Sequence, residues 1–387
     1  MFYKSNYDFI LSKILLIFLI LLITISCLTG DRIELSIMSA VSGHGIPLKI
    51  GTRHWSVYLN LNLHTPYNII TRRMATNQDL KNSTYLGKTQ IQIDNKSIEA
   101  EKYMDFVYFE IYQLTIQEFI FYVVDEKDIK NPQLSLSYFI DKGSLIKLLK
   151  DNNIIDTFQF SIDNTGPFGN IIFGSLDNKS ISFKKRGECE VEKKSWGCYM
   201  RQLEVKNITI FSKKIYALFN TNSSMIYVPK HVFEKIGEIV FKEYIEKKHC
   251  TYTETYTNDS FYRCYCNNLN DFPNFYFYIG DYVYTVQFYN LFWEYDGFCT
   301  FLIEKNKNND SDEIIIGTSF VSKFESIFNY EKKTITFLSK YNNDINFSKS
   351  NELSLLSKKI ICTILISLLV ITSILNITQR IGGSNNK

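Results

Sequence analysis

Apolar and polar positions alternate over Trp55, Val57, Leu59, Leu61 and Leu63, the period of two expected of a strand with one buried face. Ile50-Gly51-Thr52 precedes this run, so a hairpin with the residues before it is expected, although residues 33–51 read as short and mixed. Residues 84–124 read as several strands: residues 90–93 enter a turn at Asp94-Asn95-Lys96, and an aromatic-rich stretch over 103–112 leaves it. Leu145, Ile146, Leu148 and Leu149 form an apolar face at helical spacing behind Gly143-Ser144. This predicts a helix that ends at Asn152-Asn153, before a strand over 154–162. Alternation returns at Leu203, Val205, Ile208 and Ile210. Residues 217–229 then run apolar, turn through Asn220-Thr221-Asn222-Ser223-Ser224, and run apolar again up to Pro229, which reads as strand, tight turn, strand. Val232, Phe233, Ile236, Ile239 and Val240 predict a second helix over 231–245. Residues 250–266 are polar and rich in Thr and Tyr and read as a loop; two short strands follow around Ile279-Gly280-Asp281.

A chain of 387 residues with 45% hydrophobic and 15% aromatic content can bury a sizeable core in one large or two ordinary domains. Its net charge of +3 argues for neither a nucleic acid nor an acidic substrate. Two segments address a membrane. Residues 14–25 form an apolar run behind Lys4 and Lys13, too short for a span and suited to a signal-peptide core. Residues 360–377 carry no charge and are just long enough for a transmembrane helix. Lys358-Lys359 lie before this run and Arg380 and Lys387 after it, so flanking charge leaves orientation open and the signal sets it. The expectation is a single-pass type I protein of the secretory pathway or cell surface. Cys27 and Cys362 fall in the two apolar segments, and the other six cysteines are Cys189, Cys198, Cys250, Cys264, Cys266 and Cys299. An even set in an exported domain points to disulfides. Cys264-x-Cys266 is too tightly spaced for a zinc-ligand pair, and His231 and His249 offer no spaced partner. No Ser/His/Asp or Cys/His arrangement and no Gly-rich phosphate loop stands out.

The turn at 220–224 resembles the second active-site loop of the pepsin-like aspartic peptidases, which reads apolar-apolar-Asp-Thr-Gly-Thr/Ser-Ser. Asn220 stands at the aspartate position and Asn222 at the glycine position. The hairpin after Ile50-Gly51-Thr52 is similar to the one that leads into the family's first loop. Counting along it places the first aspartate on Asn62, or on Leu63 with a one-residue insertion, and His64, Thr65 and Pro66 do not rebuild the motif. In position, the 90–112 hairpin resembles the flap over the cleft, with Ile93 where a tyrosine is expected; a plain hairpin is the simpler reading. The helix and strand over 145–162 resemble those that follow the first lobe's sheet. Gly169-Asn170-Ile171-Ile172-Phe173-Gly174-Ser175-Leu176-Asp177 resembles the interlobe strand, with Asp177 in its turn. Cys266, Leu269, Pro273, Gly280, Tyr284 and Cys299 are placed as in the family's second lobe, where the two cysteines are joined. That resemblance implies Cys266–Cys299 and leaves Cys250–Cys264 and Cys189–Cys198 as the simplest remainder. Ile314-Ile315-Ile316-Gly317-Thr318-Ser319-Phe320, Phe324, Ile327-Phe328-Asn329, Lys333, Ile335 and Phe337 resemble the terminal segment, with Asn329 in place of its aspartate.

The resemblance, to the plasmepsin-like branch, implies a mostly β, bilobal acid-protease fold: two β-barrel-like lobes around a cleft, behind an N-terminal signal segment and ahead of a C-terminal transmembrane helix. The expected plan is a signal peptide over 1–30, lobes over 31–180 and 181–340, a polar stalk over 341–358, a transmembrane helix over 359–378 and a cytosolic tail over 379–387. The family's chemistry needs two carboxylates that share one proton. An amide cannot take that proton, so no intact catalytic acid is expected at Asn62 or Asn220. Asn222 is expected to keep the turn because Asn tolerates positive φ. Only about twenty residues separate Gly30 from Gly51, where the family's zymogens usually carry a basic pro-segment. The implied function is a membrane-anchored pseudo-peptidase that holds an extended peptide or a protein partner over Ile93, Thr221, Asn222 and Ser223. It needs no cofactor, no metal and no nucleic acid. The alternatives are an active aspartic endopeptidase with displaced acids, for which Asp94, Glu99 and Asp296 are candidates, and a structural surface protein. Several Asn-x-Ser/Thr sequons occur, among them Asn82, Asn178, Asn207, Asn258 and Asn346, as is common by chance in so Asn-rich a chain; a glycoprotein is expected. Asn222 is also a formal sequon.

Overall fold

The computed structural model describes residues 32–347, apart from 41–42, 94–95, 130, 141, 164–168, 177–184, 255–259, 270, 307–311 and 340–343. The expected signal segment, transmembrane helix and tail lie outside these residues, as do Asp94, Asp177, Asn178 and Asn258. Among the described residues no helix is long and apolar enough to cross a membrane.

Six antiparallel strands make the centre: Lys185–Glu190, Thr334–Ser339, Glu325–Asn329, Gln159–Asp163, Gly169–Gly174 and Arg32–Ala40, in that spatial order. Their inward residues are large and apolar, among them Ile162, Phe160, Phe328 and Phe337, all without exposed surface. The sheet runs on through Gly43–Ile50 into the N-terminal lobe, and a nine-stranded sheet builds the C-terminal lobe. The 33–51 region is thus two strands rather than a short mixed stretch. Ile33, Leu35 and Ile37 face the core, a three-residue alternation too brief to stand out in the sequence.

The same four-strand arrangement occurs in each lobe. In the first, Trp55–Asn62 runs parallel to Gln133–Ser135, which is antiparallel to Ile69–Thr71, which is parallel to Leu114–Val124. In the second, Ile215–Phe219, Ile314–Ile316, Ile226–Val228 and Ile303–Lys305 repeat those relations in that order. Trp196 and Tyr330 bind the lobes beneath. The Trp196 indole N–H donates to the Leu136 carbonyl at 2.7 Å, and the Tyr330 hydroxyl donates to the Ser137 carbonyl at 3.0 Å.

The helix at Leu145–Asp151 follows Ser144 as its N-cap and ends where Asn153 takes a left-handed conformation at φ 56°, as its flanks predict. The second helix is interrupted: Lys230–Ile236 is α-helical, Gly237–Phe241 is a π turn, and Lys242–Glu246 is α-helical again. Residues 250–254 and 260–265 do not form a loop. Cys250–Glu254 and Ser260–Tyr265 pair as a hairpin in a four-stranded sheet, because Thr and Tyr suit a half-exposed strand as well as they suit a polar loop. The expected stalk also begins late, since Ile345–Phe347 adds an edge strand to Tyr282–Val286 with Ile345 fully buried. All three expected disulfides form: Cys189–Cys198, Cys250–Cys264 and Cys266–Cys299.

Candidate active-site cleft

Each repeated unit ends its first strand in a tight loop, and the two loops carry matching hydrogen bonds. In the first, Asn62 Oδ1 accepts the backbone N–H of His64 at 2.7 Å and of Thr65 at 3.0 Å. In the second, Asn220 Oδ1 accepts the N–H of Asn222 at 2.8 Å. A side-chain oxygen that takes the N–H two residues on is an Asx-turn, and it shapes both loops from within. These donors also fix which amide atom is oxygen. Neither His64 nor Asn222 has positive φ, so the tolerance expected of Asn222 is not what preserves its turn; the Asn220 side chain does that work.

Each loop is held from the neighbouring strand. Ser135 Oγ donates to the Thr65 carbonyl at 2.8 Å, and the Thr318 N–H donates to the Ser223 carbonyl at 2.8 Å. Any side chain at Gly317 would overlap the carbonyls of Ser223 and Met225, so glycine is required by close approach there. Asn68 anchors the first loop further, donating to the carbonyls of Ile120 and Gly143 and accepting from Ser135 N–H.

The loops meet at Thr221. Its hydroxyl donates to the carbonyl of Leu61 at 2.5 Å, and Thr221 has no exposed surface. The matching position in the first loop is Leu63, which has no hydroxyl to return the bond. Asn62 is 5% exposed and its Nδ2 is taken by Gln133 Oε1 at 2.7 Å. Asn220 is half-buried and its Nδ2 has no hydrogen-bond partner among the described residues. Asn222 Oδ1 and Thr65 Oγ1 are buried without partners among the described residues. The structure therefore brings together Asn62, Leu63, Thr221, Asn222, Ser223 and Asn220. At positions 62 and 220 the meeting loops present two amides, which hydrogen-bond but do not exchange a proton near neutrality.

The other expected residues lie elsewhere. Ile93 pairs with Lys96 at the end of the Thr84–Ile93 and Lys96–Phe109 hairpin and packs against the small core of Ile69, Ile91 and Ile98. Glu99 is exposed on that hairpin and pairs with Lys88 at 3.1 Å. Asp296 turns the Phe292–Tyr295 and Phe298–Phe301 hairpin at φ 52°, in a sheet separate from both loops. His44 precedes Gly45, which pairs with Asn60 beside the first loop, and burial pushes its pKa down to about 4. The Thr221–Leu61 bond and the Gln133 contact escaped the sequence because each joins residues far apart in the chain.

The solved aspartic proteinase from Irpex lacteus is similar in fold, with a TM-score of 0.64 over 81% of this chain and 99% of that one, at 12% identity. No curated protein sequence matches the chain. The family model for eukaryotic aspartyl proteases matches residues 91–340, which is more than half of the chain and includes the second loop. The chain belongs to the eukaryotic aspartyl protease family.

Proposed function

We propose that this family member is a pseudo-peptidase that binds an extended peptide or a partner's loop in its cleft without cutting it. The observation that carries the reading is the matched pair Asn62 and Asn220, which make the same turn from equivalent ends of two equivalent strands. In this reading they occupy the family's two acid positions. General-base help is worth about 10²–10⁴-fold, and an amide supplies none of it. The Asn220 Nδ2 donor then serves a bound main chain, in the manner of clefts that hold extended peptides by backbone hydrogen bonds. Three disulfides support an oxidising compartment, and the apolar run over 360–377 supports a membrane anchor.

The test is digestion of a mixed peptide library by the purified chain from about pH 3.5 to 7, with and without a transition-state-mimicking aspartic-peptidase inhibitor. An Asn220→Ala sample controls for contaminating protease. No inhibitor-sensitive cleavage is expected, together with retention of a subset of peptides. Inhibitor-sensitive cleavage that disappears in Asn220→Ala would overturn the reading and favour an active endopeptidase.

A further inference from the structure

The C-terminal lobe holds a cavity of about 390 Å³ at the interrupted helix; none of the cleft-loop residues lines it. Its size is within the range of small-ligand sites. One wall is the π turn Gly237–Phe241, a widened helix geometry that recurs at functional sites. Gly237 leaves room for the hydroxyl of Tyr262, which any side chain there would displace. The Tyr262 ring stacks on Phe241 with centroids 3.9 Å apart and planes 4° apart. A phenylalanine would stack equally well, so packing does not account for the hydroxyl. Tyr262 is 7% exposed, and its hydroxyl has no hydrogen-bond partner among the described residues. Tyr262 lines the cavity, so its hydroxyl is free to meet a group bound there. Phe233 and Tyr252 stand beside it, with centroids 5.4 and 5.3 Å from the Tyr262 ring.

Charge on the rim selects the sign of the ligand. Lys230 pairs with Glu234 at 3.8 Å and Lys305 with Glu254 at 2.5 Å. The fifth charged lining residue, Glu238, has no ion pair among the described residues. The lining is left with one uncompensated negative charge.

The geometry points to a binding site for a primary ammonium group on an aliphatic stem. Glu238 would pair with the charge, the Tyr262 oxygen would accept one N–H, and the Tyr252 and Phe233 rings would line the stem and favour the cation. A free alkylamine and the side chain of a partner's lysine share this chemistry. The site does not depend on how the cleft is read.

The experiment is a ligand-observed NMR titration of the full-length chain with n-butylammonium chloride, with the neutral 1-pentanol as its near-isostere. The amine is expected to bind at least about tenfold tighter than the alcohol, and Glu238→Gln and Tyr262→Phe are each expected to weaken the amine by about tenfold. Both substitutions keep the ring packing, and unchanged unfolding midpoints would show that the fold is intact. Equal binding of amine and alcohol, or amine binding indifferent to both substitutions, overturns the site. A third arm with N-acetyl-lysine methylamide separates the sources: tighter binding than butylammonium assigns a protein lysine, and equal binding assigns a free amine.

Discussion

Thr221 spends its hydroxyl on Leu61 in a place no water reaches, so its replacement is a clean measure of how the two loops are joined. Thr221→Val keeps the shape and leaves a buried carbonyl without a donor. We expect a loss of about 1–3 kcal/mol, read as a lower denaturant midpoint, with most of it restored in Thr221→Ser. Equal midpoints for all three proteins would show that the bond contributes nothing. The polar frame around Asn220-Thr221-Asn222-Ser223 was legible because strand, turn and proline follow one another locally. That Asn62 shapes the first loop was not, since its amide takes two backbone N–H groups that only the folded loop presents. Asn329 shows the same economy: its Oδ1 accepts the Lys332 N–H at 2.7 Å and its Nδ2 donates to Gln159 at 2.7 Å, so an amide does there what a turn requires.

At the scale of elements, the Cys250–Glu254 and Ser260–Tyr265 hairpin depends on its own crosslink, since Cys250 and Cys264 face each other in register. The loop closed is short, and removing the bond by the double change Cys250→Ala and Cys264→Ala is expected to cost about 3 kcal/mol. Limited proteolysis should then cut within the hairpin first, and cutting elsewhere first would contradict this account. Strands with sustained alternation and the capped helix Leu145–Asp151 were readable from spacing alone. The π turn was not: Ile236, Ile239 and Val240 fit helical spacing whether a backbone N–H reaches back four residues or five. The edge strand Ile345–Phe347 was hidden because its three residues sit in a polar, Asn-rich stretch and gain their order from a partner strand over fifty residues earlier.

For the whole molecule, acid should weaken the fold, and His44 gives one reason. Burial holds it neutral with a pKa of about 4, against about 6.5 in an unfolded chain. Between those values the unfolded chain binds more protons, so this contribution is complete above pH 6.5 and fades as pH falls to 4. Its size is on the order of 3 kcal/mol. Urea midpoints at pH 7 and pH 4 should differ more in the parent than in His44→Gln; the same difference in both would clear His44 of the effect.

The edge strand Ile345–Phe347 also sets a leash. With residues 359–378 as the proposed anchor, only residues 348–358 join it to the body. Eleven residues reach roughly 36–40 Å at full stretch, less than the roughly 50 Å diameter of a body of this size. So anchored, the body could not roll over. It would stand on its C-terminal lobe, and a bulky visitor would reach it only from the half-space that faces away from the bilayer.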